Sequence, residues 1–283
     1  MKKISLIVTL AILLSAFVSC DKIEGPYITP DDSVETNVEF PDLDPSTVFR
    51  KVLIEEYTGT RCVNCPDGHR ELEALHNRYS DTLVAIGIHA GTFAMPMGAF
   101  TTDFRTEEGN ALYQDYAVAQ IGTPAAVVNR SPYNNTFALN ISSWQPAIEQ
   151  EKSKACVAAV QLYIELNPVD KTITTHTKTT PLNGYEGNMQ LALYLIEDGI
   201  IAPQKDGEET IDDYVHNHVL RASFNGVYGT QLTTPEEDGT YLKSYQIDYS
   251  QKSWNISNCS IVAVLMDADT REVLQVEQEK FIP

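Results

Sequence analysis

The stretch that most constrains this chain is VLIEEYTGTRCVNCPDG, Val52 to Gly68, where Cys62 and Cys65 stand two residues apart between a short apolar run and a segment of helical periodicity. A helix amino terminus carries free backbone N–H groups and a partial positive charge, and both stabilise a thiolate. Cys62 is therefore the candidate nucleophile, and Cys65, one helical turn on, reaches the same side and closes a disulfide. A purely structural disulfide at a helix start has the same spacing, so the rest of the chain has to separate the two. A zinc site needs more ligands than this pair supplies, and no second pair at zinc-like spacing follows. Neither a metal nor a cofactor is expected.

Residues 1–19 read as a signal peptide, with Lys2 and Lys3 ahead of an apolar run from Ile4 to Val18 that is short for a membrane span. With Ser19 before Cys20, the segment resembles a bacterial lipoprotein signal, Phe17-Val18-Ser19-Cys20 being a loose lipobox. That resemblance implies cleavage before Cys20 and a lipid on it, and so a membrane partner through the anchor. An ordinary secretory signal with a chance cysteine is the alternative, and either reading exports the protein to a compartment where disulfides persist. Residues 20–47, rich in Asp, Glu and Pro and without apolar periodicity, read as an acidic tether. A formal charge of −19 argues against nucleic acid, which needs a basic footprint.

Residues 48–154 carry a β-α-β order: a strand over Arg50 to Tyr57, a helix to Tyr79 with Leu72, Leu75 and Tyr79 on one face, and a buried strand over Leu83 to His89. A helix around Glu107 to Tyr116, a strand after Pro124 and a closing helix over Trp144 to Lys152 follow. This half resembles a thioredoxin-fold domain on three grounds: the Cys62–Cys65 pair, the Gly122-Thr123-Pro124 stretch, and Glu56 six residues before the first cysteine. The resemblance implies a cis-proline loop at Pro124 that, with Gly122 and Thr123, offers backbone groups to a substrate chain. It also implies a buried acid at Glu56 that moves the resolving thiol's proton, with Glu55 the adjacent competitor. Arg61 stands where the family usually has Trp, and Val63-Asn64 replaces its usual dipeptides. The Cys65-to-Pro124 span is longer than in a minimal thioredoxin, the excess falling in residues 91–109, which are expected to cover or flank the site.

Residues 155–283 change texture to seven strand-like runs: Cys156 to Asn167, Lys171 to Thr179, Met189 to Glu197, His216 to Phe224, Tyr241 to Tyr249, Asn258 to Met266 and Glu272 to Glu277. At that density they predict an all-β sandwich of immunoglobulin-like size after the α/β thioredoxin-like domain. With the lipobox, the segments DFRTEEGNALYQDYAV, IGTPAAVVNR and YVHNHVLRASFNGVYG resemble the lipoproteins related to the twenty-eight-kilodalton outer-membrane protein of Bacteroidetes. That resemblance implies a cell-envelope, outer-membrane address and allows either a receptor-like or a thioredoxin-like role.

The sequence therefore points to an extracytoplasmic thiol–disulfide oxidoreductase acting on protein dithiols or disulfides, with Cys62 attacking, Cys65 resolving, Pro124 in the substrate loop and Glu56 carrying a proton. The other class is a surface binding lipoprotein in which the thioredoxin fold is a scaffold. Among the remaining candidates, His69 lies on the helical face of Cys62, and His89 ends a strand; a solvated and a structural role, respectively, are the plain readings. His216 and His218 alternate on one strand face without a third metal ligand. Cys156 and Cys259 stand open between a disulfide and two free thiols.

Overall fold

The computed structural model describes Val34 and residues 38–281. The signal peptide, the lipobox with Cys20 and much of the acidic tether lie outside the described residues. The first half consists of β1 (Val52–Thr58), α1 (Cys65–Tyr79), β2 (Leu83–His89), α2 (Glu107–Asp115), β3 (Ala125–Val128) and α3 (Trp144–Lys152). The second half opens with β4 (Ala158–Asn167), β5 (Thr172–Pro181) and β6 (Met189–Glu197), and runs through short strands β7 (Ile200–Ile201), β8 (Gln204–Asp206), β9 (Glu209–Ile211) and β10 (Val215–His216). It continues with β11 (Val219–Ser223), β12 (Thr230–Leu232), β13 (Tyr241–Asp248), β14 (Cys259–Asp267) and β15 (Val273–Lys280).

Local chemistry accounts for the helices. In α1, Leu72, Leu75 and Tyr79 form the buried stripe, and Pro66 sits in the first turn, where its missing N–H costs no helical bond. Thr106 caps α2 by accepting a hydrogen bond from the Gly109 N–H at 2.9 Å, and Glu107 and Glu108 favour the positive end of the helix.

The α/β half and the sandwich share one sheet. Its order is β15-β14-β6-β11-β2-β1-β3, with β12 also on β6. β1 and β2 are parallel, β3 is antiparallel to β1, and the link between halves is the short parallel pairing of β11 with β2, where the Gly87 N–H donates to His218 O at 2.7 Å. One face carries a single apolar cluster that runs from Leu53, Tyr57 and Ile86 to Tyr194, Val262 and Val276. The opposite face is divided: α1 and α3 cover β1, β2 and β3 around Trp144, whereas the three-stranded sheet β13-β5-β4 covers β6 and β14 to make the sandwich.

The predicted run His216 to Phe224 is broken. His218 adopts the left-handed region at φ 57°, which ends β10 and starts β11 in a different sheet, so His216 and His218 do not share a strand face.

A set of buried polar contacts welds the β1–β3 end of the sheet to β6 and β15. Arg130, 1% exposed, donates to Glu55 Oε1 at 2.6 Å and to Tyr194 Oη at 3.0 Å, joining β1 to β6. Beside it the Asn129 side chain accepts from Leu53 N at 2.7 Å, and its carbonyl accepts from Val273 N at 2.9 Å. Arg50 donates to Glu151 and to the Val273 and Leu274 carbonyls on β15. Removing one member of a buried pair strands the other charge. Arg130→Met should therefore cost about 3–5 kcal/mol in urea unfolding, and Glu55→Leu/Arg130→Met should recover much of that loss. A single variant as stable as wild type would contradict this weld.

Candidate functional site

β1 delivers the chain into the turn Gly59-Thr60-Arg61, after which Cys62 and Cys65 are disulfide-bonded across the start of α1 with their Cα atoms 5.4 Å apart. The Asn64 side chain makes no capping bond, and the Cys65 and Asp67 N–H groups donate to the Cys62 and Asn64 carbonyls, while the sulfur pair sits at the positive end of the helix dipole. Thr123 and Pro124 face it across the amino end of β3: the Thr123–Pro124 bond is cis, and both the hydroxyl and the carbonyl oxygen of Thr123 lie 3.5 Å from Cys62 Sγ. Gly122 and Thr123 are half-buried as they lead into the proline. A Cβ on Gly68 would stand 2.8 Å from Pro124 Cβ and 3.1 Å from the Trp144 ring, so only glycine lets α1 settle on this loop.

The two adjacent glutamates part company because successive strand residues face opposite sides of a sheet. Glu55 points to Arg130. Glu56 points under α1, its Oε1 3.3 Å from the same Cβ position on Gly68, one turn beyond Cys65. Glu56 is 1% exposed, its Oε1 has no hydrogen-bond partner, and burial raises its pKa to about 8.

Two segments flank the cysteine turn. The Phe93 carbonyl accepts from the Arg61 N–H at 3.1 Å, and the Arg61 guanidinium is tied to Thr92 O and to Met97 Sδ, so residues from the long insertion lie beside the disulfide. A Cβ on Gly59 would fall 2.6 Å from Ala94 N, which makes this approach glycine-dependent. The resulting rim is apolar and exposed: Val63, Phe93, Met95, Met97 and, before the proline loop, Ile121.

The second flank comes from the other half of the chain and has no local signal. In the β8–β9 hairpin, Lys205 N donates to Thr60 O at 2.8 Å and Gly207 N to Val63 O at 2.9 Å. The buried Gln204 amide donates to Gly59 O and Cys62 O at 3.3 and 3.2 Å. The cysteine turn is thus clamped from residues about 140 positions away in sequence.

Below it lies a cavity of about 220 Å³, into which Glu56, Thr58, His69, His89, Tyr214 and His216 project. His76 and His218 also line it, so five of the six histidines of the chain meet here. Burial lowers the pKa of His69 to about 3 and that of His216 to about 4, and pushes His89 well below the usual value. These imidazoles are neutral at physiological pH. His69, read from the sequence as a solvated helix residue, instead bonds Thr58 Oγ1 at 2.9 Å and Tyr214 Oη at 2.6 Å. His89 is buried against Phe104 and His216. His218 meets Asp198 and His76, away from His216. Among the described residues no group of three or more His, Cys, Asp or Glu side chains is arranged to hold a metal ion.

Cys156 and Cys259 are free thiols on different sheets' strands or leads, and burial pushes Cys259 up to about 12. Cys156 Sγ lies 3.3 Å from Ala158 O and Cys259 Sγ 3.3 Å from Asn255 O.

Residues 109–282 match the sequence profile of the family described as outer membrane protein Omp28. The matched range includes the Thr123–Pro124 loop and Tyr214 but not the cysteine pair. The comparison with curated proteins finds no match. Among solved structures, HBP35 of Porphyromonas gingivalis aligns with a TM-score of 0.60 at 16% identity, over 83% of this chain and 76% of that one. A protein from Agrobacterium tumefaciens aligns with a TM-score of 0.50 at 10% identity, over 83% of this chain and 96% of that one. Both are likenesses of fold. A domain of the outer membrane lipoprotein Omp28 from Porphyromonas gingivalis is 25% identical over 46% of this chain and 92% of that chain, with a TM-score of 0.33.

The buried groups set a pH dependence of stability. Below pH 6.5 the unfolded chain protonates histidines that the fold keeps neutral, so stability rises with pH up to that value. Glu56 acts the other way from about pH 4.5 to about 8, where the folded state keeps a proton that the unfolded chain has lost; above pH 6.5, with the histidine contribution fading, stability falls, by up to about 1.4 kcal/mol per pH unit. Urea midpoints at pH 6.5 and 8 should show the fall in wild type and its loss in Glu56→Gln. The same slope in both proteins would rule out a protonated Glu56.

Proposed function

The chain belongs to the Omp28 outer membrane protein family, and on that premise we propose that it is a lipid-anchored thiol–disulfide oxidoreductase of the cell envelope, acting on exported proteins. The family places the protein at the outer membrane; the activity rests on the site. In this reading the α/β half is a thioredoxin-like domain, spanning residues 48–154, and residues 155–283 are an immunoglobulin-like sandwich. Cys20 carries the lipid, and residues 20–47 are its tether.

One observation carries the reading: the Cys62–Cys65 disulfide at the start of α1 is faced at 3.5 Å by the Thr123 backbone beside a cis proline, with an unpaired buried acid beneath. In the reduced protein the Cys62 thiolate, favoured by the helix end, attacks a substrate disulfide. One substrate sulfur bonds to Cys62 and the other leaves as a thiolate. Once Glu56 has released its own proton, its carboxylate takes the proton of Cys65, which attacks Cys62 Sγ, forming the intramolecular disulfide and releasing the second substrate sulfur as a thiolate. Two electrons move from the protein's dithiol to the substrate, and the reverse sequence oxidises a substrate dithiol. Pro124 and the backbone of Gly122 and Thr123 hold the substrate strand, and the apolar rim around Val63, Phe93 and Met97 suits an unfolded segment with exposed side chains.

A second reading, a receptor-like binding lipoprotein with the thioredoxin fold as scaffold, is favoured by the inaccessibility of the sulfurs: Cys62 is 3% exposed and Cys65 0%. Thiol chemistry separates the two. The soluble chain should accelerate insulin reduction by dithiothreitol, and Cys62→Ser should return the rate to the uncatalysed level; wild type and variant alike at that level would leave the scaffold reading. In cells, Cys20→Ala should move the protein from the membrane to the soluble fraction, and unchanged fractionation would remove the lipid anchor from the proposal.

A further inference from the structure

An acid sealed under a helix is of use in repeated turnovers only if its proton can reach water. Glu56 is fully enclosed and Oε1 has no partner. What stands next to it is His69, one turn beyond Cys65 on α1, with Nε2 3.7 Å from Glu56 Oε1. A small rotation of the carboxyl, or one bridging water, closes that gap. On the far side of the ring, Nδ1 is 2.6 Å from Tyr214 Oη, and the Thr58 hydroxyl at 2.9 Å from Nε2 steadies the ring. Tyr214 lies between β9 and β10, is half-buried, and lines the histidine cavity. It belongs to the second half of the chain, to the same excursion from the sandwich that clamps the cysteine turn.

We propose that His69 and Tyr214 form the proton path between Glu56 and solvent, so that the C-terminal half completes the redox site. The inference rests on the oxidoreductase reading above. Glu56, protonated at rest, passes its proton to His69 Nε2, and the carboxylate so formed takes the proton of Cys65 as that thiol attacks. The ring releases its Nδ1 proton to Tyr214 Oη, and Tyr214 passes its own hydroxyl proton to water in the cavity. One proton enters the line and one leaves it, and no electrons move. The path runs backwards when Cys65 has to be reprotonated.

The neutral imidazole suits this role, because a ring with one proton can accept at one nitrogen while it donates at the other. Burial holds His69 in that state and keeps the Tyr214 phenol protonated, with a pKa raised to about 12 chiefly by burial. The titratable groups around the line are Arg70 and Glu73 on α1, Asp206 on β8, His89 at the end of β2, and His216 and His218 beyond Tyr214. His76, on the next turn of α1, completes the lining.

The test uses the mature chain, reduced and mixed with a small disulfide such as oxidised glutathione in stopped flow. Formation of the mixed disulfide at Cys62 and its resolution by Cys65 are followed separately. Tyr214→Phe, which removes only the hydroxyl, and His69→Gln should slow resolution about tenfold or more at pH 7, less than the ~100-fold or more of a direct general acid–base group because they act through Glu56. Formation of the mixed disulfide should change by less than a factor of about two, and added imidazole buffer should restore resolution, since a diffusible base can enter the cavity. Resolution at the wild-type rate in both variants would overturn the path. So would equal slowing of both steps without rescue by imidazole, which is the signature of a structural defect. Absence of any mixed disulfide in wild type would overturn the oxidoreductase reading itself, and that outcome is distinct from the other two.

Discussion

The interaction on which the rest of the structure depends is the buried pair of Arg130 and Glu55. A guanidinium and a carboxylate with no exposed side-chain surface meet at 2.6 Å, and Tyr194 and Met266 from the second half complete the guanidinium's surroundings. Burial works against the charge on Arg130, and the Glu55 carboxylate overcomes it, holding the pKa well above the usual value. Such a pair is costly to strand and specific in geometry, so it registers β1 against β6 and β14 more sharply than apolar packing alone. The turn that presents it is itself constrained: Asn129 and Arg130 are both left-handed, at φ 48° each.

That pair also decides the chemistry on the other face of β1. With Glu55 committed to Arg130, the pleat sends Glu56 under α1, beside the glycine on which the cis-proline loop and Trp144 rest. The structural weld and the proton site are two consequences of one alternation. The second half contributes to both faces: Tyr194 and Met266 to the weld, and Gln204, Lys205, Gly207 and Tyr214 to the cysteine turn and the cavity beneath it. In an acidic protein of net charge −19 this centre is distinctive for its neutral groups, since burial strips charge from His69, His89 and His216 and from Glu56 alike.

Much of the local architecture was readable residue by residue. The strand over Leu83 to His89 and the helix over Trp144 to Lys152 have the predicted bounds, because each carries a complete apolar pattern within its own length. Strands β7 to β10 and β12, of two or three residues, are too short to show a period. β7 and β10 pair with each other, β12 pairs with β6, and the local hairpin β8–β9 is held by its contacts with the cysteine turn. The run from His216 to Phe224 looked continuous since its residue types suit a strand, yet one left-handed residue, His218, divides it between two sheets. The Thr123–Pro124 bond is cis and lies opposite Cys62. His69 was misread as solvated, because its partners Thr58 and Tyr214 lie 11 and 145 residues away.

By itself, then, the amino-acid sequence determined what short-range patterns can determine: a cysteine pair at a helix start, an α/β half and a strand-rich half. Tertiary structure alone decided that the halves share one sheet, that Glu55 meets Arg130 while Glu56 lies under α1 beside Gly68, that Cys156 and Cys259 stay apart, and that five histidines gather in one cavity. The reason is physical. Periodicity and helix-end chemistry act within a turn or a strand, whereas burial, ion pairing and sheet order depend on groups brought together from opposite ends of the chain.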